Sequence, residues 1–91
     1  MTRAMNHPAF DQLMEQYLAL ESMEVTEELL DLCGARIDTH ALPRLRLRLH
    51  EEQALIPLLE ARGYVRMREK CEQLVASLCP LIAVLEQEEH A

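Results

Sequence analysis

An alternation of leucine and arginine in the middle of this 91-residue chain holds the side chains best suited to bind a charged group. The run reads Leu-Pro-Arg-Leu-Arg-Leu-Arg-Leu over residues 42–49, so single leucines separate Arg44, Arg46 and Arg48. A guanidinium binds carboxylates and phosphates through paired hydrogen bonds. The run therefore predicts either ion pairs with acids of the same chain or contacts with an acidic partner.

Two secondary structures are compatible with this run. In a helix, Arg48 lies one turn from both Arg44 and Glu52, and the arginines pair with nearby acids. In a strand, the leucines face a core while the three arginines face outward together. A lone strand needs a second copy to satisfy its backbone.

The strand alternative would be followed by a helix, Gly63 and a last helix, over about residues 43–79. This order resembles the ribbon-helix-helix DNA-binding family, in which alternate residues of a two-stranded dimeric ribbon enter the major groove. The resemblance implies a dimeric transcriptional regulator that contacts DNA through residues 44–48. It is the alternative to an all-helical protein.

The cysteines and histidines lack the spacing of a metal site. Cys71 and Cys79 are eight positions apart and His40 and His50 are ten apart, whereas a zinc site typically uses the closer CxxC or i, i+4 spacing, three or four positions apart. The sequence also contains no Gly-rich phosphate loop and no nucleophile elbow. We predict no metal, no cofactor and no catalytic residue, hence a non-enzymatic protein.

Charge is distributed in three blocks. Residues 1–34 hold seven acids and one base, residues 35–70 hold eight bases and five acids, and residues 71–91 hold four acids and no Lys or Arg. The net charge of −7 disfavours unspecific binding to nucleic acid or membranes. With no signal peptide, no transmembrane segment and three cysteines that fit reduced thiols, we expect a cytoplasmic protein. Eight arginines to one lysine are typical of a GC-rich bacterial genome.

Composition and periodicity predict an all-α fold of four helices. The chain is 49% hydrophobic but only 3% aromatic, and its commonest residues are good helix formers. We expect a flexible tail over 1–7, one helical domain over 8–88 and a frayed end over 89–91. Helix 1 starts near Pro8, helix 2 runs from Thr26 past Gly34 to Ile37, and a hairpin of residues 44–62 and 65–88 turns at Gly63. Pro57 and Pro80 should kink or split their helices.

The last helix carries a heptad-spaced apolar stripe that begins at Met67 and includes Leu74, Leu78, Leu81 and Leu85. We expect it to be buried against helices 1 and 2 or against a second subunit, which would complete a homodimeric bundle. The predicted function is a protein–protein interaction module: a regulator, adaptor or anti-activator that docks on or occludes another protein. The predicted contacts are these four leucines with Arg44, Arg46 and Arg48. A secretion or assembly chaperone is a further alternative with the same fold.

Overall fold

Leucine-rich segments with few glycines form four α-helices in the computed structural model, which describes residues 8–34 and 36–90. They are α1 (Pro8–Leu20), α2 (Met23–Cys33), α3 (Leu42–Ala61) and α4 (Val65–Glu89), with a 3₁₀ turn over Thr39–Ala41. The described residues contain no strand, so the all-α prediction is confirmed. The strand alternative for residues 44–49 is wrong, because this whole run lies in α3. The predicted tail over 1–7 lies outside the described residues.

The turn between α3 and α4 follows the prediction at Gly63. Gly63 has a φ of +74°, the left-handed conformation that glycine adopts without a steric penalty. The N–H of Gly63 donates to the carbonyl of Glu60 at 3.2 Å, and the N–H of Tyr64 donates to that of Leu59 at 3.0 Å. These two hydrogen bonds form a Schellman motif, which ends α3 and lets α4 return beside it.

Helix α2 begins three residues earlier than predicted. Ser22, not Thr26, caps it, and the Ser22 hydroxyl accepts a hydrogen bond from the N–H of Val25 at 3.3 Å. Thr26 lies inside the helix and donates its hydroxyl to the Ser22 carbonyl. The helix also ends earlier, at Cys33, because Gly34 takes a φ of +90° that closes it. The predicted continuation to Ile37 is wrong, although Ile37 is buried in the core.

Neither internal proline splits its helix. Both α3, which contains Pro57, and α4, which contains Pro80, are continuous over their whole lengths. The split that the sequence allows at either proline is therefore absent, and each arm of the hairpin is a continuous helix.

The main hydrophobic core lies in the half of the hairpin farthest from Gly63 and extends to Leu74 of α4. Helices α3 and α4 have 20 and 25 residues, or about 30 and 37 Å, whereas α1 has 13 residues, or about 20 Å. The core takes its residues from the first half of α3 and the second half of α4, with α1, α2 and the 3₁₀ turn. Since α1 is too short to follow α4 along its whole length, no helix among the described residues covers the end of the hairpin near Gly63.

A groove at the open end of the helical hairpin

The arginines of the leucine–arginine run bind carboxylates of their own chain. Arg44 lies 3.3 Å from Glu28 of α2 and 3.7 Å from Glu51. Arg46 lies 3.0 Å from Glu86 near the end of α4. The central basic run thus neutralises parts of both flanking acidic blocks.

Arg48 is the most buried of the three and lies at the centre of an ionic network. Its Nε and Nη2 each donate to Glu21 at 2.9 Å, a two-point contact, and its Nη1 donates to Glu51 at 3.1 Å and to Glu52 at 3.0 Å. The Tyr17 hydroxyl also donates to Glu21. The side chains of Arg48, Glu21 and Glu52 are 12%, 1% and 8% exposed. The network therefore joins the end of α1 to α3 in a largely water-free environment.

Burial and hydrogen bonding act in opposite directions on the acids of this network. Burial by itself raises the pKa of Glu21, but hydrogen bonds from Arg48, Tyr17 and the Ser22 backbone outweigh it and hold that pKa below its usual value. Burial, reinforced by Glu21, raises the pKa of Tyr17 far above 10. At neutral pH Glu21 is thus an anion and Tyr17 a neutral donor, as their hydrogen bond requires.

The predicted partner contacts are therefore mostly occupied within the chain. Arg44, Arg46 and Arg48 lie in a helix and pair with acids of the same chain, as the helical alternative for the run predicts. The four leucines of the α4 stripe are all buried in the core of this chain: Leu74, Leu78, Leu81 and Leu85. These leucines are therefore not exposed on the surface of this chain.

A groove with a volume of about 310 Å³ opens beside the ionic network. Its walls come from the α1–α2 corner, the second half of α3 and the first half of α4. Apolar side chains form most of its lining: Leu20, Val25, Leu55, Leu59, Met67 and Leu74. Glu21, Arg48 and Glu52 lie at one end of it, and Lys70 contributes to its edge. The groove thus has an apolar body and a charged border.

The mouth of the groove exposes large apolar side chains. Met67 is 58% exposed and Leu55 is 40% exposed. Leu58, Tyr64 and Val65, on the same end of the hairpin, are also more than half exposed. Met67 was predicted to belong to the buried stripe of α4, and its exposure follows from the short reach of α1. Five large apolar side chains at one end of a small protein form a surface typical of a binding site.

Three basic side chains at this end of the hairpin are unpaired, in a stretch that also holds the exposed acids Glu60 and Glu69. Arg62, Arg66 and Lys70 are exposed, and within the described residues none of them forms an ion pair. Arg68, by contrast, lies 3.4 Å from Glu60. We refer to Arg62, Arg66 and Lys70 as the basic rim.

One cysteine, Cys71, lines the groove. Burial, with a further contribution from Glu52, raises the pKa of the Cys71 thiol to about 11, so Cys71 is protonated near neutral pH and lacks the thiolate that a nucleophile requires.

Within residues 8–34 and 36–90, no three His, Cys, Asp or Glu side chains are grouped so that they could hold a metal ion. No helix in the described part of the chain has the length and hydrophobicity needed to cross a membrane.

Comparison with protein-family models, curated proteins and solved structures gives no match to this chain. The functional conclusion therefore depends on the geometry and charge of the groove.

The groove and the basic rim were not predicted from the sequence. One local signal was present: Arg66 and Lys70 are like charges one turn apart on a helix, an arrangement that is mildly unfavourable unless something else compensates it. The exposure of Leu55 and Met67 had no such signal, since it depends on where α1 ends relative to the hairpin.

Proposed function

We propose that this protein is a non-enzymatic protein-binding module, a regulator, adaptor or anti-activator, that receives an apolar segment of a partner protein in the groove. The observation that carries the proposal is the groove itself, with Met67 and Leu55 exposed at its mouth. Burying a Leu or Met side chain contributes about 1.5–3 kcal/mol, so two such anchors supply a useful fraction of a micromolar affinity.

A helix is the segment that suits this groove. Helix α1 already packs on α4 over the covered half of the hairpin. A partner helix placed beyond the α1–α2 corner would extend the same packing along the uncovered half. This is the helix-in-groove mode of recognition, in which apolar residues at i, i+3, i+4 and i+7 enter a hydrophobic cleft.

The alternatives are a DNA-binding protein, a secretion or assembly chaperone and a homodimeric bundle. The DNA-binding alternative required residues 44–48 to form a ribbon, and these residues are helical with their arginines paired. A secretion or assembly chaperone would use the same groove for its client, and it differs in being stable only with the client bound. A homodimeric bundle would need a second copy to cover the hairpin end, and the charge of the basic rim opposes this arrangement.

The test is affinity capture with a matched pair of variants. Met67→Glu places a charge at the mouth of the groove, whereas Leu32→Glu places one at an equally exposed leucine of α2 outside it. Both variants should retain the helical circular dichroism of the wild type, because both positions are exposed. We expect a stoichiometric partner that survives nuclease treatment, is retained by Leu32→Glu and is lost by Met67→Glu. Equal retention by the two variants would overturn the proposal.

A further inference from the structure

We infer that the occupant of the groove is an acidic amphipathic helix of another protein. The inference rests on the function proposed above and specifies the chemistry of the partner. It follows from the charges that surround the groove, from the way the rest of the chain pairs its arginines, and from the surfaces that a second copy of the chain has to offer.

The basic rim differs from the other basic residues of the chain. The described residues include eight Arg and Lys, and five of these lie within ion-pair distance of a carboxylate: Arg36, Arg44, Arg46, Arg48 and Arg68. With 16 acids to nine bases in the chain, carboxylates are in excess. The three bases without such a partner are nevertheless all at the end of the hairpin that carries the groove. Their charge is thus available to a ligand.

The three rim residues flank the apolar mouth from both helices. Lys70 lines the groove itself, and Arg66 precedes it by one turn of α4. Arg62 follows Leu55 by seven residues at the end of α3, so the two side chains lie on the same face of the hairpin. A helix that places apolar residues against Leu55 and Met67 would therefore meet Arg66 and Lys70 on the α4 side and Arg62 towards the turn. Carboxylates at those positions of the helix complete the match.

A second copy of this chain does not supply that match. Two hairpin ends packed around a two-fold axis would bring two basic rims together, and like charges in contact are unfavourable. The acidic helix α2 buries Val25 and Leu29 in its own core and exposes two large apolar side chains, Met23 and Leu32. These two are nine residues apart and lie on opposite sides of the helix, so they form no apolar stripe that could enter the groove of another copy.

The net negative charge of the protein makes a preference for acidic ligands informative about a local basic site. Because the whole chain carries −7, long-range electrostatics repel an acidic ligand from most of its surface. Attraction of an acidic helix must come from a local basic site. Its affinity should fall as salt is added, since exposed charges are screened over about 10 Å at 0.1 M salt.

The experiment is a display selection on the full-length protein. The probe is a library of 16-residue helical peptides in which apolar, acidic, basic and neutral residues are all allowed at the varied positions. Peptides are selected on the wild type after depletion on Met67→Glu, so that only groove-dependent binders are counted. The readout is the mean net charge of the enriched pool, followed by anisotropy titration of individual peptides at two salt concentrations.

Two variants of equal net charge separate the basic rim from the overall charge. Arg62→Gln/Arg66→Gln/Lys70→Gln neutralises the rim, and Gln12→Glu/Gln16→Glu/Gln87→Glu lowers the net charge by the same amount at exposed positions away from the groove. We expect an acidic enriched pool whose peptides bind the rim variant at least tenfold more weakly than the wild type, while the matched control stays within about threefold.

The outcomes distinguish the inference from the function on which it rests. A groove-dependent pool that is neutral or basic, or that binds the rim variant and the matched control equally, would overturn the acidic partner and leave the docking function intact. A pool with no groove-dependent binders would overturn both. Binding of duplex DNA of random sequence that the rim variant alone abolishes would assign the rim to nucleic acid instead.

Discussion

Arg48 of α3 and Glu21, the residue that follows α1, form a two-point ion pair with both N–O distances at 2.9 Å. The two residues are 27 positions apart in sequence, so this pair fixes the α1–α2 corner against the hairpin. The corner is also one end of the groove, to whose lining both residues contribute. The ion pair therefore holds the α1–α2 corner in place at the point where the groove begins.

Removing the guanidinium of Arg48 should destabilise the fold strongly. Arg48→Met leaves Glu21 and Glu52 buried without their counter-charge, and breaking a buried pair from one side costs about 3–5 kcal/mol. The same substitution at Arg46, two residues along the same helix, removes exposed contacts with Glu86 and Glu89 and should have a much smaller effect. Urea unfolding followed by circular dichroism compares the two variants, and equal losses of stability would contradict the buried network.

The contribution of Glu21 should disappear in acid. Its folded-state pKa lies below the unfolded value, so it stabilises the fold fully above the unfolded pKa and less as the pH falls through the folded pKa. Glu21→Gln lacks this titration. The difference in unfolding free energy between wild type and Glu21→Gln should therefore shrink on going from about pH 7 to about pH 3. A difference that stays constant over this range would show that Glu21 is not ionically stabilised.

The leucine stripe of α4 should behave as core. Leu78 is fully buried, so Leu78→Ala should lower the unfolding free energy by about 2–5 kcal/mol. Leu58, which is 54% exposed on α3, is the matched control, and Leu58→Ala should change stability by about 0.5 kcal/mol or less. Thermal or urea unfolding of the isolated protein measures both. If Leu78→Ala were instead neutral for stability and impaired partner binding, the stripe would be a docking surface.

The hairpin turn should tolerate other residues at Gly63 only at a cost in backbone energy. A Cβ added there meets no atom within 4 Å, so the left-handed φ of +74° is the sole obstacle. Gly63→Ala should therefore cost about 1–2 kcal/mol, and Gly63→Asn should cost less, because asparagine tolerates this conformation better. If the two variants were equally destabilised in urea unfolding, the left-handed conformation would not be the cause.

The sequence predicted the features that depend on one helix or one turn alone. Gly63 was predicted to end a helix because its left-handed conformation is a local property, and the four-helix fold follows from periodic apolar positions. Arg48 and Glu52 were recognised as a pair one helical turn apart, and they are bonded at 3.0 Å. The start of α2 was misplaced because Ser22 and Thr26 both have a hydroxyl suited to capping, and the sequence does not rank them.

Features that depend on how helices are arranged in space were not predictable. The partner of Arg48 outside its own helix, Glu21, is distant in sequence, and nothing in the pattern selects it from seven acids in the first block. Met67 fits the heptad of α4 as well as Leu74 does. Met67 and the groove are exposed only because of where α1 ends and where the α1–α2 corner lies.

Site-specific photocrosslinking at the groove shows directly whether a partner protein binds there. A photoreactive residue replaces Met67 in one tagged protein and Leu32 in another, two positions with exposures of 58% and 54%. Irradiation in cells followed by denaturing purification retains only covalently joined partners. If the groove binds an acidic partner helix, we expect a single protein adduct from position 67. This adduct should be absent from position 32 and weakened by Arg62→Gln/Arg66→Gln/Lys70→Gln. Adducts of equal yield from both positions, or an adduct from position 32 alone, would contradict it.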